Sequence, residues 1–104
     1  MDRVLFVART SANLKHGEVA GATSAAQLPD VDCFFVVIKA HSGNAGNVHI
    51  GSSSSVTVAD GSTDTTTGFV LAAGESEQFY VNNLNLLYYI CDNAGDDFTY
   101  FAYV

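Results

Sequence analysis

The stretch from Gly68 to Tyr89 reads G-F-V-L-A-A-G-E-S-E-Q-F-Y-V-N-N-L-N-L-L-Y-Y, and it constrains the fold more than any other part of the chain. Two strands and two turns fit inside this one short unit. Gly68 and Gly74, with Gly95 further on, supply the backbone freedom that turns and bulges need. Phe69, Leu71, Phe79, Val81, Leu84 and Leu87 supply apolar anchors between them. The block reads as a structural module and not as a reaction site.

The same alternation recurs along the chain, where apolar runs are bounded by clusters of Gly, Ser, Asn and Asp at short intervals, as in a sandwich or barrel. Strands are expected near Arg3 to Ala8, Ala22 to Leu28, Cys33 to Ala40, Val48 to Gly51, Phe69 to Leu71, Gln78 to Val81, Leu87 to Asp92 and Phe98 to Val104. This makes an all-β, single-domain, antiparallel β-sandwich of about eight short strands, jelly-roll-like, over residues 1–104. Cys33 to Ala40 is apolar almost throughout and is expected at the centre of a sheet. The mixed polar and aromatic run from Thr99 to Val104 is expected nearer an edge. Residues 1–21 form an N-terminal arm or first strand, and Thr10 to Gly21 has little β pattern, so a short helical turn and an extended arm both stay open. Ser52 to Thr67, rich in Ser, Thr, Asp and Gly, is expected to be a long surface loop.

At 104 residues the chain has room for one core, and its 48% hydrophobic and 14% charged content suits a packed globule. The net charge of -7, with four Lys and Arg in all, argues against direct nucleic-acid binding, which needs clustered cations. The charge is uneven. Residues 1–20 hold Arg3, Arg9 and Lys15 against Asp2 and Glu18, net +1, and the remainder holds nine acids against Lys39, net -8. The two ends therefore face different surroundings, and Arg3, Arg9 and Lys15 are the candidate partner-binding residues. Val4 to Ala8 is too short for the apolar core of a secretion signal, and no run approaches the ~20 residues of a membrane span, so a cytosol-like compartment and no membrane are expected. There Cys33 and Cys91, each within an apolar strand, are expected to be reduced, buried thiols; the alternative is a cross-strand disulfide.

The patterns that carry chemistry are missing from the sequence. His16, His41 and His49 form no i,i+4 pair and lie at no zinc-like spacing from Cys or carboxylate, so solvated or strand-face histidines are expected. Glu75 and Glu77 fall on one face of one strand, whereas glycoside cleavage needs carboxylates on opposite sides of a cleft. Asp60 to Asp64 is oxygen-rich but lacks the calcium-loop spacing and its closing Glu. There is no G-x-S-x-G, P-loop or dinucleotide fingerprint. Tyr80, Tyr88, Tyr89, Tyr100 and Tyr103 offer a sugar-stacking platform or, more commonly for tyrosines, sheet-face packing. A non-enzymatic protein with no catalytic residues, no metal and no cofactor is expected.

The order N-A-G-N-V-H-I-G-S-S at Asn44 to Ser53, G-F-V-L-A-A-G-E-S at Gly68 to Ser76, F-Y-V-N-N-L-N-L-L-Y at Phe79 to Tyr88, then a Gly-containing turn and a final aromatic strand, resembles small bacteriophage virion proteins. These are head-decoration and head-fibre-base β modules, and the similar region runs at its widest from Cys33 to Val104. The resemblance implies a β-sandwich without an active site, a structural protein of the virion that decorates or cements the assembled capsid. It also implies the major capsid protein or another virion protein as partner, a homo-oligomer of trimeric type, synthesis in the host cytoplasm and a place on the outer capsid surface. A receptor- or carbohydrate-binding fibre or tail module is the alternative.

Overall fold

In the computed structural model, which describes residues 13–104, β-branched and aromatic runs pair into eight antiparallel strands. They are β1 Leu14–Ala20, β2 Ala26–Gln27, β3 Phe35–Ala40, β4 Val48–Gly51, β5 Phe69–Leu71, β6 Ser76–Phe79, β7 Tyr88–Cys91 and β8 Asp97–Tyr103. Sheet A has the order β1-β8-β3-β6 and sheet B the order β2-β7-β4-β5. The pairs β1·β8, β2·β7, β3·β6 and β4·β5 nest inside one another, so the chain is one long hairpin, tipped by residues 52–68, rolled into two sheets. That is the jelly roll, in which only the β4–β5 connection stays within one sheet.

Strand alternation sends Val36, Ile38 and Ala40 of β3 and Phe98 and Ala102 of β8 inward, against Val48 and Ile50 of β4 and Tyr89 and Cys91 of β7. Phe98, Ile38, Val36, Val48 and Leu84 are wholly buried, each side chain contributing about 1.5–3 kcal/mol by leaving water. The Tyr89 ring meets Phe98 edge-on at 4.9 Å, and its hydroxyl donates to the Ala20 carbonyl at 3.0 Å, tying β7 to the end of β1.

The corner at Gly68 to Ser76 carries the chain from sheet B to sheet A. Glu75 N–H closes a turn onto the Ala72 carbonyl at 2.9 Å, and Gly74 sits at φ +82°, the left-handed value that the third position of a type II turn requires. Gly68 serves differently: a Cβ there would lie 2.8 Å from Val56 Cγ2 and 3.0 Å from His49 Cβ, so only glycine lets the returning hairpin tip pass so close. Gly95 has neither a positive φ nor a close neighbour, so the freedom expected of it is not used. Asn83 caps the 3-10 turn Leu84–Leu86, its Oδ1 accepting from Val31 and Asn85 N–H, and thereby fastens that turn to the segment before β3.

Several expectations need correction. Leu14–Ala20, open by sequence to a helical turn, an extended arm or a first strand, is a seven-residue strand, because backbone pairing with β8 outweighs the propensities of Lys15, His16, Gly17 and Glu18. The last strand, expected near an edge, lies inside sheet A between β1 and β3, since its alternation puts Phe98 and Ala102 in the core. The strand expected over Ala22 to Leu28 shrinks to Ala26–Gln27. The strand expected at Arg3 to Ala8 lies outside the described residues.

Candidate functional site

Because Val36, Ile38, Phe98 and Ala102 point into the core, their neighbours Phe35, Val37, Phe101 and Tyr103 must point out of sheet A. The register sets Leu14 of β1 opposite Tyr103 and His16 opposite Phe101 on that face, and Tyr80 follows the end of β6 beside Phe35. The rings form a continuous array over β8, β3 and the residue that follows β6. Phe101 and Tyr103 meet edge-on at 5.2 Å, Tyr103 stacks on Phe35 at 4.2 Å with 11° between planes, and Phe35 lies 5.6 Å from Tyr80. Tyr80 is 75% exposed, Leu14 51% and Phe101 37%. Contiguous apolar surface rimmed by polar groups is the kind of surface that interaction sites use.

The other end of the same face is acidic. Glu18 on β1 shares a hydrogen bond with Asp97 on β8, and this bond and the repulsion between the two carboxyls push Glu18 above its ordinary value, which the nearby His41 partly offsets. Lys39 stands beyond Thr99 on β3. Between the two ends lies a shallow depression lined by His16, Val37, Thr99 and Phe101.

The outer face of sheet B is covered over His49 by the chain itself, while Val70 beside it stays exposed. His49 is wholly buried there beneath residues 52–68. Its Nδ1 accepts from Ala59 N–H at 3.4 Å, so its Nε2, 3.0 Å from Asp92 Oδ1, is placed to donate to that carboxylate. Asp92 also accepts from Asn47 N–H at 2.8 Å, and these bonds, Asn47 first, hold its carboxyl below its ordinary value. Beside this roof is a cleft of about 380 Å³, with Ile50, Phe79 and Leu87 below and the hydroxyls of Ser53, Ser55 and Thr66 around it. The Thr67 hydroxyl is buried near it without a hydrogen-bond partner.

Of the candidate partner-binding residues, Lys15 is exposed on β1, but strand alternation puts it on the side opposite Leu14 and His16, away from the aromatic array. Arg3 and Arg9 lie outside the described residues. The tyrosines divide: Tyr80 and Tyr103 join the array, while Tyr89 and Tyr100 pack inward, Tyr100 across Gly17. His49 lies on a strand face, one of the two positions expected, but that face is roofed and not solvated, and its burial by a segment ten residues further on has no signal in the sequence. Cys91 is buried and Cys33 half-buried; both thiols are free, and burial pushes both up from their ordinary values. Asp96 is 2% exposed and serves structure, accepting from Ala45 N–H, Gly46 N–H and the Asn93 amide. Asp60 accepts from Ser62 N–H in a local turn, which lowers its carboxyl. Among the described residues no three His, Cys, Asp or Glu side chains gather as a metal site, and no helix is long and apolar enough to cross a membrane.

The fold is thus an all-β jelly-roll sandwich with an aromatic array on the outer face of sheet A. No protein-family model and no curated protein matches the chain. It is similar to a solved structure of Bacillus endospore appendages, described as a novel family of disulfide-linked pili, with 17% identity over 88% of this chain and 86% of that one and a TM-score of 0.45.

Proposed function

We propose that this domain is a non-enzymatic structural part of a bacteriophage particle, decorating or cementing the assembled capsid. The observation that carries the reading is the aromatic array of sheet A, a face made to be covered. Tyr and Phe are enriched in the cores of protein interfaces, where a few large rings supply most of the binding energy. The resemblance of Asn44 to Ser53, Gly68 to Ser76 and Phe79 to Tyr88 to virion modules supplies the placement, and the jelly roll is an architecture that capsid proteins use repeatedly. The partner in this reading is the major capsid protein or another virion protein, bound by a trimer whose several weak contacts add through avidity.

Mixing the purified protein with undecorated shells and with unassembled capsid subunits, then sedimenting, tests the reading. Pelleting with shells is the expected result, and binding to neither overturns it. The hydroxyl-rimmed cleft beside Thr67 favours a second reading, a receptor- or carbohydrate-binding module of a fibre or tail. Glycan binding without shell binding selects that one.

A further inference from the structure

We propose that the aromatic face of sheet A receives the N-terminal segment of a second copy of this chain, with Val4 to Ala8 on the rings and one of the two flanking arginines toward Glu18 and Asp97. The inference names the occupant of the face on which the structural reading rests, and it stands or falls separately from capsid binding.

Three observations point to this occupant. The first is composition. Residues 3–9 read R-V-L-F-V-A-R, five apolar residues between two cations, in a chain that holds only four Lys and Arg. The face is laid out to match, with apolar rings at one end and, at the other, the Glu18–Asp97 carboxyl pair with Lys39 across Thr99, two acids to one lysine. Leu14, beside the rings, and Glu18 are four strand positions apart, about 13 Å, and Phe6 stands three positions, about 10 Å, from either arginine. A cation there would relieve the repulsion that raises Glu18.

The second is direction. Asn13 accepts from the N–H of Val104, the last residue of β8's run, so β1 enters the sheet at its very end. Followed backwards, the strand points off the sheet and away from the rings, and covering its own face would require a reversal just before Leu14.

The third is reach. Twelve residues span at most roughly 40 Å, well beyond a seven-residue strand of about 23 Å. The segment therefore reaches the face of a neighbour that abuts the Leu14 end. Donor and acceptor surfaces differ, so the contact is heterologous and closes into a ring, such as the trimer, when its rotation allows.

The test uses full-length protein throughout. The wild type is expected to self-associate in sedimentation equilibrium without any shell present. Phe6→Asp, which spoils the donor, and the double variant Tyr80→Ser with Phe101→Ser, which spoils the acceptor, are each expected to weaken self-association about tenfold or more. Tyr80 and Phe101 are exposed on the outer face of sheet A, and an unchanged circular dichroism melt checks that each variant folds. The deciding step is mixing. Each variant keeps the half that the other has lost, so an equimolar mixture is expected to form heterodimers that neither makes alone. A wild type that stays monomeric, variants that associate as the wild type does, or a mixture of folded variants that yields no heterodimer each overturns the proposal. A monomer that still pellets with shells overturns it while leaving the capsid reading intact.

Discussion

The outer face of sheet B is roofed over His49 by the chain's own 52–68 segment, which buries that ring completely, seats Val56 against Gly51 and Gly68 and leaves Val70 of β5 open, whereas sheet A leaves Tyr80, Leu14 and Phe101 to solvent. Both faces belong to four-stranded sheets around one core, and both carry large groups at mid-strand. The difference is that the hairpin tip is long enough to fold back over β4, while nothing in residues 13–104 returns over β3 and β8. A covered face contributes to the stability of the single domain; a bare aromatic one contributes only when something is bound. Substitutions on the two faces should therefore separate stability from association.

The largest effect is expected at Gly68→Val. Its new side chain must displace Val56 or the backbone at His49, and overpacking of this kind costs about 1–3 kcal/mol. Urea denaturation checks it, and an unmoved midpoint would show that the roof of sheet B yields freely. Next is Asp92→Ala, which strips Asn47 N–H and buried His49 of their acceptor and is expected to cost about 1–2 kcal/mol.

The pH dependence follows from the same carboxylate. Its folded value is depressed, so its contribution is fully present above the ordinary unfolded value near 4 and is lost as pH falls through the lower folded one. Denaturation midpoints below about pH 4 should fall less steeply in Asp92→Asn than in the wild type. Parallel curves would remove Asp92 from the acid transition.

At the corner joining the two sheets, Gly74→Val must adopt φ +82° with a branched side chain. It is expected to destabilise by about 1 kcal/mol or more, measured by the same denaturation. The smallest effect on stability is expected on the bare face. Tyr80→Ser should change unfolding by no more than about 0.5 kcal/mol while reducing self-association. A loss of stability as large as that of Gly68→Val would mean that Tyr80 supports the domain itself, and the contrast between the two faces would disappear.

Much of the fold was legible because it is local. Val48 to Gly51 and Phe69 to Leu71 are strands with the expected bounds, since each is a β-branched or aromatic run closed by turn residues. The corner at Gly74 was legible for the same reason: glycine before Glu75-Ser76 announces a positive φ. β1 was not, because K-H-G-E has no apolar period and becomes a strand only by pairing with β8 more than eighty residues away. The position of β8 was hidden too. Its aromatic residues serve the core on one side and the array on the other, and composition reads the same for an edge strand as for a strand filled on both faces.

The candidate site divides along the same line. The sequence by itself determined an all-β chain, its turns, its uneven charge and a supply of tyrosines, because these depend on residues close together in the chain. Only the tertiary structure decided that Phe35, Tyr80, Phe101 and Tyr103 share one open surface and that Lys15 turns away from it. It also decided that His49 disappears under a loop. Register and sheet order set these outcomes, and both come from pairings between distant strands, whose one-residue shift would exchange the buried and exposed faces.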